Sequence, residues 1–181
     1  MEIGKYQLQL RFSFRRYCQI HVGGVYGDKS ASIDRFVIQY LALDPRIRRR
    51  FVIENDERLY TVADCCAISD RTGVSVLFDA FHHSLHNNRE ALPALLDRIR
   101  ATWHEADGIP MVDYSSQQAG KRPGAHAATI DTADFQRFLA MTGTQDMDVM
   151  LEIKDKEISA QKALRVAGTD PRLVTGMPDC R

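Results

Sequence analysis

The sequence is poor in the features that mark a disulfide-stapled or membrane-embedded protein. Its 181 residues include four cysteines, at positions 18, 65, 66 and 180, and no two of them share a C-x-x-C spacing. Neither a disulfide framework nor a thiolate zinc site is expected from that pattern. No apolar run is long enough to span a bilayer and no secretory signal is visible, which reads as a reduced, cytoplasmic chain without a membrane partner. Net charge is lacking as well, because 24 Lys plus Arg balance 24 Asp plus Glu. Overall charge therefore favours neither sign of charged partner. The basic residues are clustered, with Lys5, Arg11, Arg15 and Arg16 against Glu2 alone in residues 1–17, and a second group at Arg46, Arg48, Arg49 and Arg50. Such clusters on a neutral chain read first as solvated faces and second as surfaces for phosphates.

What is present is one recurring pattern. Residues 50–56, RFVIEND, form an apolar run that ends on acids, with Glu54 where a buried strand would meet solvent. The same design recurs in CQIHV with His21, VSVLFDAFHH with Asp79 and His82, GIPMVD with Asp113, and DVMLEIK with Glu152. A helix-like segment follows each run, and the runs lie roughly 25 to 40 residues apart, the length of one βα unit. Near-continuous apolar strands alternating with helices predict a parallel sheet covered on both faces. Five strands, or six if the alternating Tyr6–Phe14 segment joins them, fall short of the eight in a closed barrel. The predicted fold class is α/β: an incomplete TIM (β/α) barrel of five to six parallel strands with outer helices. Residues 1–17 form an atypical N-terminal segment, 18–167 the partial barrel, and 168–181, rich in Gly, Pro and Asp, a flexible tail.

Local signals set the expected helices. Apolar spacing predicts one over Ser32–Leu43, stopped by Asp44-Pro45, and Thr61 with Asp64 forms a capping box for a second that Gly73 ends. Others are expected over Asn88–Trp103, Asp131–Ala140 and Lys156–Val166. Residues 114–127, YSSQQAGKRPGAHA, are loop by composition and long for a βα connection, a length that often marks function.

The polar strand ends carry the chemistry. His21, Glu54, Asp79, His82, Asp113, His126 and Glu152 are oxygen and nitrogen donors suited to divalent ions of borderline hardness. Carboxylates converging at one mouth repel unless cations sit between them, so the array predicts a cluster of more than one ion. Taken singly, His21 also reads as a satisfied core histidine, Glu54 and Asp79 as loop caps, and Glu152 as a partner of Lys154 or Lys156. His82 is paired with Asp79 in a D-x-x-H arrangement, while His83 and His86 read as surface or supporting groups. Lys121 and Arg122 can hold a phosphate near the ions or form a solvated loop tip. Tyr26, in the Gly-rich VGGVYGDKS loop, can stack on a base or simply pack.

Read in order, IHVGGVYGDK, RFVIENDERLYT, VLFDAFHH, PMVDYSSQQAGKRPGAHA and DVMLEIKDKE resemble the UV damage endonuclease family over residues 18–166. The resemblance implies a TIM barrel like that of endonuclease IV, holding a divalent metal cluster, manganese foremost with zinc or magnesium as alternatives. It implies damaged double-stranded DNA as the partner, with no obligate protein partner, and a backbone nick immediately 5′ to cyclobutane dimers or 6-4 photoproducts that leaves a 3′-hydroxyl. His21, Glu54, Asp79, His82, His126 and Glu152 match the family's metal-ligand motifs, with Glu54 bridging ions and Glu54, Asp79 and Glu152 carrying catalysis. Asp113 stands where some members have histidine, and Met111 where some carry lysine. Family members have further strands before IHVGG that MEIGKYQLQLRFSFRR does not resemble. Two other readings stand beside this one: a sugar isomerase or epimerase on the same barrel class, and a non-catalytic remnant that binds metal or DNA weakly.

Overall fold

A computed structural model describes residues 17–174, so the expected Tyr6–Phe14 strand, the N-terminal basic cluster, Cys180 and the tail from residue 175 lie outside the described residues. Five short strands form one sheet: β1 (Cys18–His21), β2 (Phe51–Glu54), β3 (Ser75–Asp79), β4 (Met111–Tyr114) and β5 (Asp148–Leu151). Every neighbouring pair is parallel and the spatial order follows the chain order, β1-β2-β3-β4-β5. Strands that succeed one another in sequence and in space, each returned by an outer helix, are what a (β/α) barrel requires. The expected fold class is the one observed.

Register decides which side chains share a face. His21 aligns with Glu54, Glu54 with Leu77, Asp79 with Asp113, and Asp113 with Met150. Side chains two apart on a strand point the same way, so His21, Glu54, Asp79, Asp113 and the residue after β5, Glu152, all belong to one face. The alignment slips by two residues between Glu54 and Asp79 and again between Asp113 and Glu152, the stagger that tilted barrel strands produce. The other face carries Ile20, Ile53, Val76, Phe78, Val112 and Tyr114, which join the hydrophobic core with Ile68, Leu95, Leu96 and Ile99 from the helices and Trp103 from the loop that follows them. Fully burying such a side chain stabilises the fold by roughly 1.5–3 kcal/mol. Trp103 adds a polar anchor, since its Nε1–H donates to the Val76 carbonyl at 2.8 Å.

The helices follow the predicted signals with a few physical corrections. α1 (Lys29–Ala42) begins a turn earlier than expected because Asp28 caps it, accepting from Ala31 N–H. α2 (Pro45–Arg48), unforeseen, is a single turn started by Asp44 and Pro45, and it uses the arginine cluster on an exposed surface where Arg46 pairs with Asp44. α3 (Val62–Thr72) has the predicted Thr61–Asp64 capping box and ends on Gly73 with φ 71°. α4 (Ala80–Leu85) is a short helix directly after β3, capped by Asp79. The helix expected over 88–103 is α5, only Leu92–Ala101: Arg89 sits at φ 59°, outside helical space, and Pro93 fits the first turn. α6 (Thr132–Met141) and α7 (Glu157–Ala167) complete the set. Beyond α7, the first residues of the expected tail are tethered: Arg172 donates to the carbonyls of Leu139 and Gln145 and to Thr142 Oγ1 at 2.9–3.0 Å.

Candidate metal centre

Each central carboxylate reaches the concave face because its strand ends there and its neighbours are apolar. Glu54 and Asp79 close β2 and β3, Asp113 is the penultimate residue of β4, and the three are 3%, 1% and 0% exposed, a degree of burial that ionised acids tolerate only when paired or bound to metal. Among the described residues no Lys or Arg forms an ion pair with them; their charged-type neighbours are histidines. His21 Nε2 lies 3.2 Å from Glu54 Oε1, and His82 Nδ1 lies 3.1 Å from Asp79 Oδ2 and 3.7 Å from Glu54 Oε1. Two groups of donor atoms are close enough to hold an ion, Glu54 with Asp79 and His82, and Asp79 with Asp113 and Glu152. Asp79 belongs to both.

Burial dominates the electrostatics of these acids. Burial, reinforced by Asp79 and Glu152 and opposed by a hydrogen bond from Gln19, pushes the Glu54 carboxyl up to about 7. Asp113 is pushed up to about 8, first by burial and then by Glu152. Asp79 is also raised by burial, against the pull of His82. Asp113 Oδ1 is buried with no hydrogen-bond partner, and a buried oxygen of this kind is a donor atom that a cation would satisfy. Hard oxygens and imidazoles without a thiolate suit Mn²⁺, Zn²⁺ or Mg²⁺, so the residues present fit a divalent metal.

His126 and Glu152 complete the rim from β5 and the long loop. The loop is better ordered than its composition suggests: Gln117 and His126 form an antiparallel bridge, and Gln117 Nε2 donates to the Gln118 and Arg122 carbonyls while its Oε1 accepts from Gly124 N–H. This staple turns the chain back, so that His126 Nδ1 lies 3.2 Å from the Glu152 carbonyl, with its ring 6.3 Å from that of His82. A histidine held by one nitrogen leaves the other for a ligand. Lys121 and Arg122 project, exposed, at the tip of the same loop. Tyr26, in the loop after β1, is 86% exposed at φ 50° beneath the Arg35 guanidinium, 5.5 Å from its ring centre. His83 packs its ring on Phe78, and His86 Nδ1 approaches the Asp56 carbonyl at 3.3 Å, so both support the fold around the donors.

Three supporting residues escaped the pattern of strand ends. Asn55 takes over where the β2–β3 ladder stops: its Nδ2 donates to the Asp79 carbonyl at 2.9 Å and its Oδ1 accepts from Asp79 N–H at 3.0 Å. Asp56 folds the following turn by accepting from the N–H groups of Arg58, Leu59 and Tyr60. Gln19 bridges Glu54 and Asp113. Only the short polar side chain after Glu54 hinted at the first, and nothing in the sequence hinted at Gln19. Asn55→Ala strands both Asp79 backbone groups, and is expected to cost about 3 kcal/mol in urea unfolding and to weaken Mn²⁺ binding roughly 10- to 100-fold by calorimetry.

The family model described as UV-endonuclease UvdE matches residues 5–168. The chain belongs to the UvdE family. It is 34% identical over 157 residues to the UV DNA damage endonuclease of Clostridium perfringens, covering 86% of this chain and 38% of that protein. It is 35% identical over 145 residues to the UV DNA damage endonuclease of Bacillus cereus strain Q1, covering 79% and 46%. The crystal structure of SacUVDE superposes with a TM-score of 0.81 at 44% identity, over 88% of this chain and 53% of that one. The chain thus spans about half the length of the relatives it matches. No helix among the described residues is long and apolar enough to cross a membrane.

Proposed function

We propose that this chain is a metal-dependent DNA endonuclease polypeptide that nicks the backbone 5′ to UV photoproducts, cyclobutane dimers and 6-4 photoproducts, with Mn²⁺ as the preferred ion. The observation that carries the reading is the convergence of Glu54, Asp79 and His82, and of Asp79, Asp113 and Glu152, into two adjoining donor groups on one concave face of a UvdE-family chain. His21 and His126 extend the donor set at either end, and Glu54, Asp79 and Glu152 are the residues assigned to catalysis. The bound ions would lower the pKa of water and neutralise charge on the scissile phosphate. The protein's own part is to fix the oxygens. Asp79 is held through its backbone by Asn55 and through its side chain by the first turn of α4, and Glu54 is held by Gln19 and His21. Breaking the P–O3′ bond by water leaves a 3′-hydroxyl and a 5′-phosphate.

Damaged double-stranded DNA would be gripped chiefly by its phosphates, with Lys121 and Arg122 on the loop that also carries His126. Tyr26 offers an exposed ring for stacking on a nucleotide that leaves the helix, a step cheaper for a damaged base than for an intact one. Lys121→Ala combined with Arg122→Ala is expected to lower the slope of log affinity against log salt by about 2, read by fluorescence anisotropy on a UV-irradiated duplex. The activity itself is tested on supercoiled plasmid, irradiated or not, incubated with the chain and Mn²⁺. Nicking confined to the irradiated plasmid supports the proposal, and no nicking of either overturns it for this chain.

A further inference from the structure

Tyr26 sits in the loop after β1, the strand that ends on His21, and therefore stands at the same end of the sheet as the donor residues. A bulky side chain at φ 50° is uncommon, and such a residue persists only where its surroundings hold it. Two neighbours hold this one. Gly24 leaves room for the ring, since a Cβ placed there would lie 2.9 Å from Tyr26 Cζ. On α1, the Arg35 guanidinium lies over the ring, 5.5 Å from its centre. It is fixed in turn, because its Nη2 donates to Ser32 Oγ, which lies within hydrogen-bonding distance of the Val25 and Asp28 carbonyls. Yet the pair is hardly buried. Tyr26 is 86% exposed and Arg35 is exposed. Among the described residues no carboxylate forms an ion pair with Arg35, and the adjacent Asp34 is taken by Arg71 at 2.8 Å.

We propose that Tyr26 and Arg35 form one two-part contact for a nucleotide of the DNA, the ring stacking on its base while the guanidinium fixes the ring and holds an adjacent phosphate. The inference rests on the DNA reading given above and adds Arg35 and Gly24 to it. A ring and a cation that are held in place without being buried stabilise the fold little, and their surfaces stay open to an outside partner. Every base has a π face, so an aromatic ring serves whichever nucleotide leaves the stack. The guanidinium is planar and keeps N–H groups beyond the one spent on Ser32, so it lies over the ring and still bonds a phosphate. A lysine would supply the charge without the plane.

The test is fluorescence anisotropy of the full chain on irradiated and unirradiated copies of one duplex over a range of salt, without added Mn²⁺ so that the DNA stays intact. Far-UV circular dichroism confirms folding, which changes to these exposed side chains should leave untouched. The wild-type chain is expected to prefer the irradiated duplex. Tyr26→Ala should weaken binding to that duplex about 10-fold and leave the salt slope and the affinity for the unirradiated duplex unchanged. Gly24→Ala, which displaces the ring, should do the same. Arg35→Ala should lower the salt slope by about 1 on both duplexes and also reduce the preference, because the ring loses its support. Arg35→Lys should restore the slope and leave the preference below wild type. Combining Tyr26→Ala with Arg35→Ala should reduce the preference no further than Tyr26→Ala alone, because the two side chains act as one unit. Wild-type preference and slope in both single variants, or losses of preference that simply add in the double variant, overturn the paired contact and leave the DNA reading standing. A wild-type chain that binds the two duplexes alike, or neither, overturns both.

Discussion

Glu54→Gln is expected to lower nicking of UV-irradiated plasmid by at least about 100-fold at saturating Mn²⁺ while leaving the fold intact. The substitution keeps the shape of the side chain and removes its charge. In the metal-free protein that charge is unwelcome, since burial has already pushed the carboxyl up to about 7. A neutral amide at position 54 should therefore be tolerated and should raise the melting temperature of the metal-free chain at pH 8. The charge is needed only once a cation is present, where Glu54 and Asp79 supply oxygens to the same donor group as His82. Activity and metal-free stability consequently move in opposite directions, which a general loss of structure would not produce. The readouts are a plasmid-nicking time course and thermal melts with and without metal. A variant that nicks at the wild-type rate contradicts the assignment of Glu54.

The second large effect is on pH and follows from the direction of the shifts. Glu54 rises from 4.5 to about 7 and Asp113 from 3.8 to about 8 on folding. A carboxyl whose folded value lies above its unfolded one binds its proton more tightly in the native state. Its contribution to stability is complete below the unfolded value and is lost as pH rises through the folded one. The metal-free chain should therefore weaken between about pH 4 and pH 8, by an amount on the order of a few kcal/mol. Divalent metal takes the place of those protons, so its stabilisation should grow over the same interval. Melting temperatures measured with and without Mn²⁺ from pH 5.5 to 8.5 should diverge as pH rises, with proton release on binding largest near pH 6 to 7. Parallel curves would contradict the account, and Asp113→Asn should flatten the upper part of the metal-free curve.

These effects depend on residues that differ in how visible they are from sequence. The parallel sheet and its five strands were legible because each apolar run is short, continuous and followed by helical spacing, and such runs have few alternatives. Glu54, Asp79, Asp113 and Glu152 could be placed at one rim because strand ends in this class of fold gather on one side. The limits of α5 were not legible, because Leu92 and Trp103 share a helical period that Arg89 at φ 59° and Pro93 cut short. Gln19 was hidden for a different reason: its partners come from β2 and β4, and only the curvature of the sheet brings β1 opposite β4. Asn55 was hidden because its role is to continue a hydrogen-bond ladder beyond the last paired residues. Long-range juxtapositions of this kind leave no periodic trace in the chain.

The central claim, that separate strands deliver their acids to shared cations, is tested most directly by diffraction from Mn²⁺-soaked crystals at the manganese absorption edge. The account predicts anomalous peaks on the concave face, one bounded by Glu54, Asp79 and His82 and one by Asp79, Asp113 and Glu152. A well-diffracting, Mn²⁺-saturated crystal with no peak within coordination distance of Asp79 would contradict it.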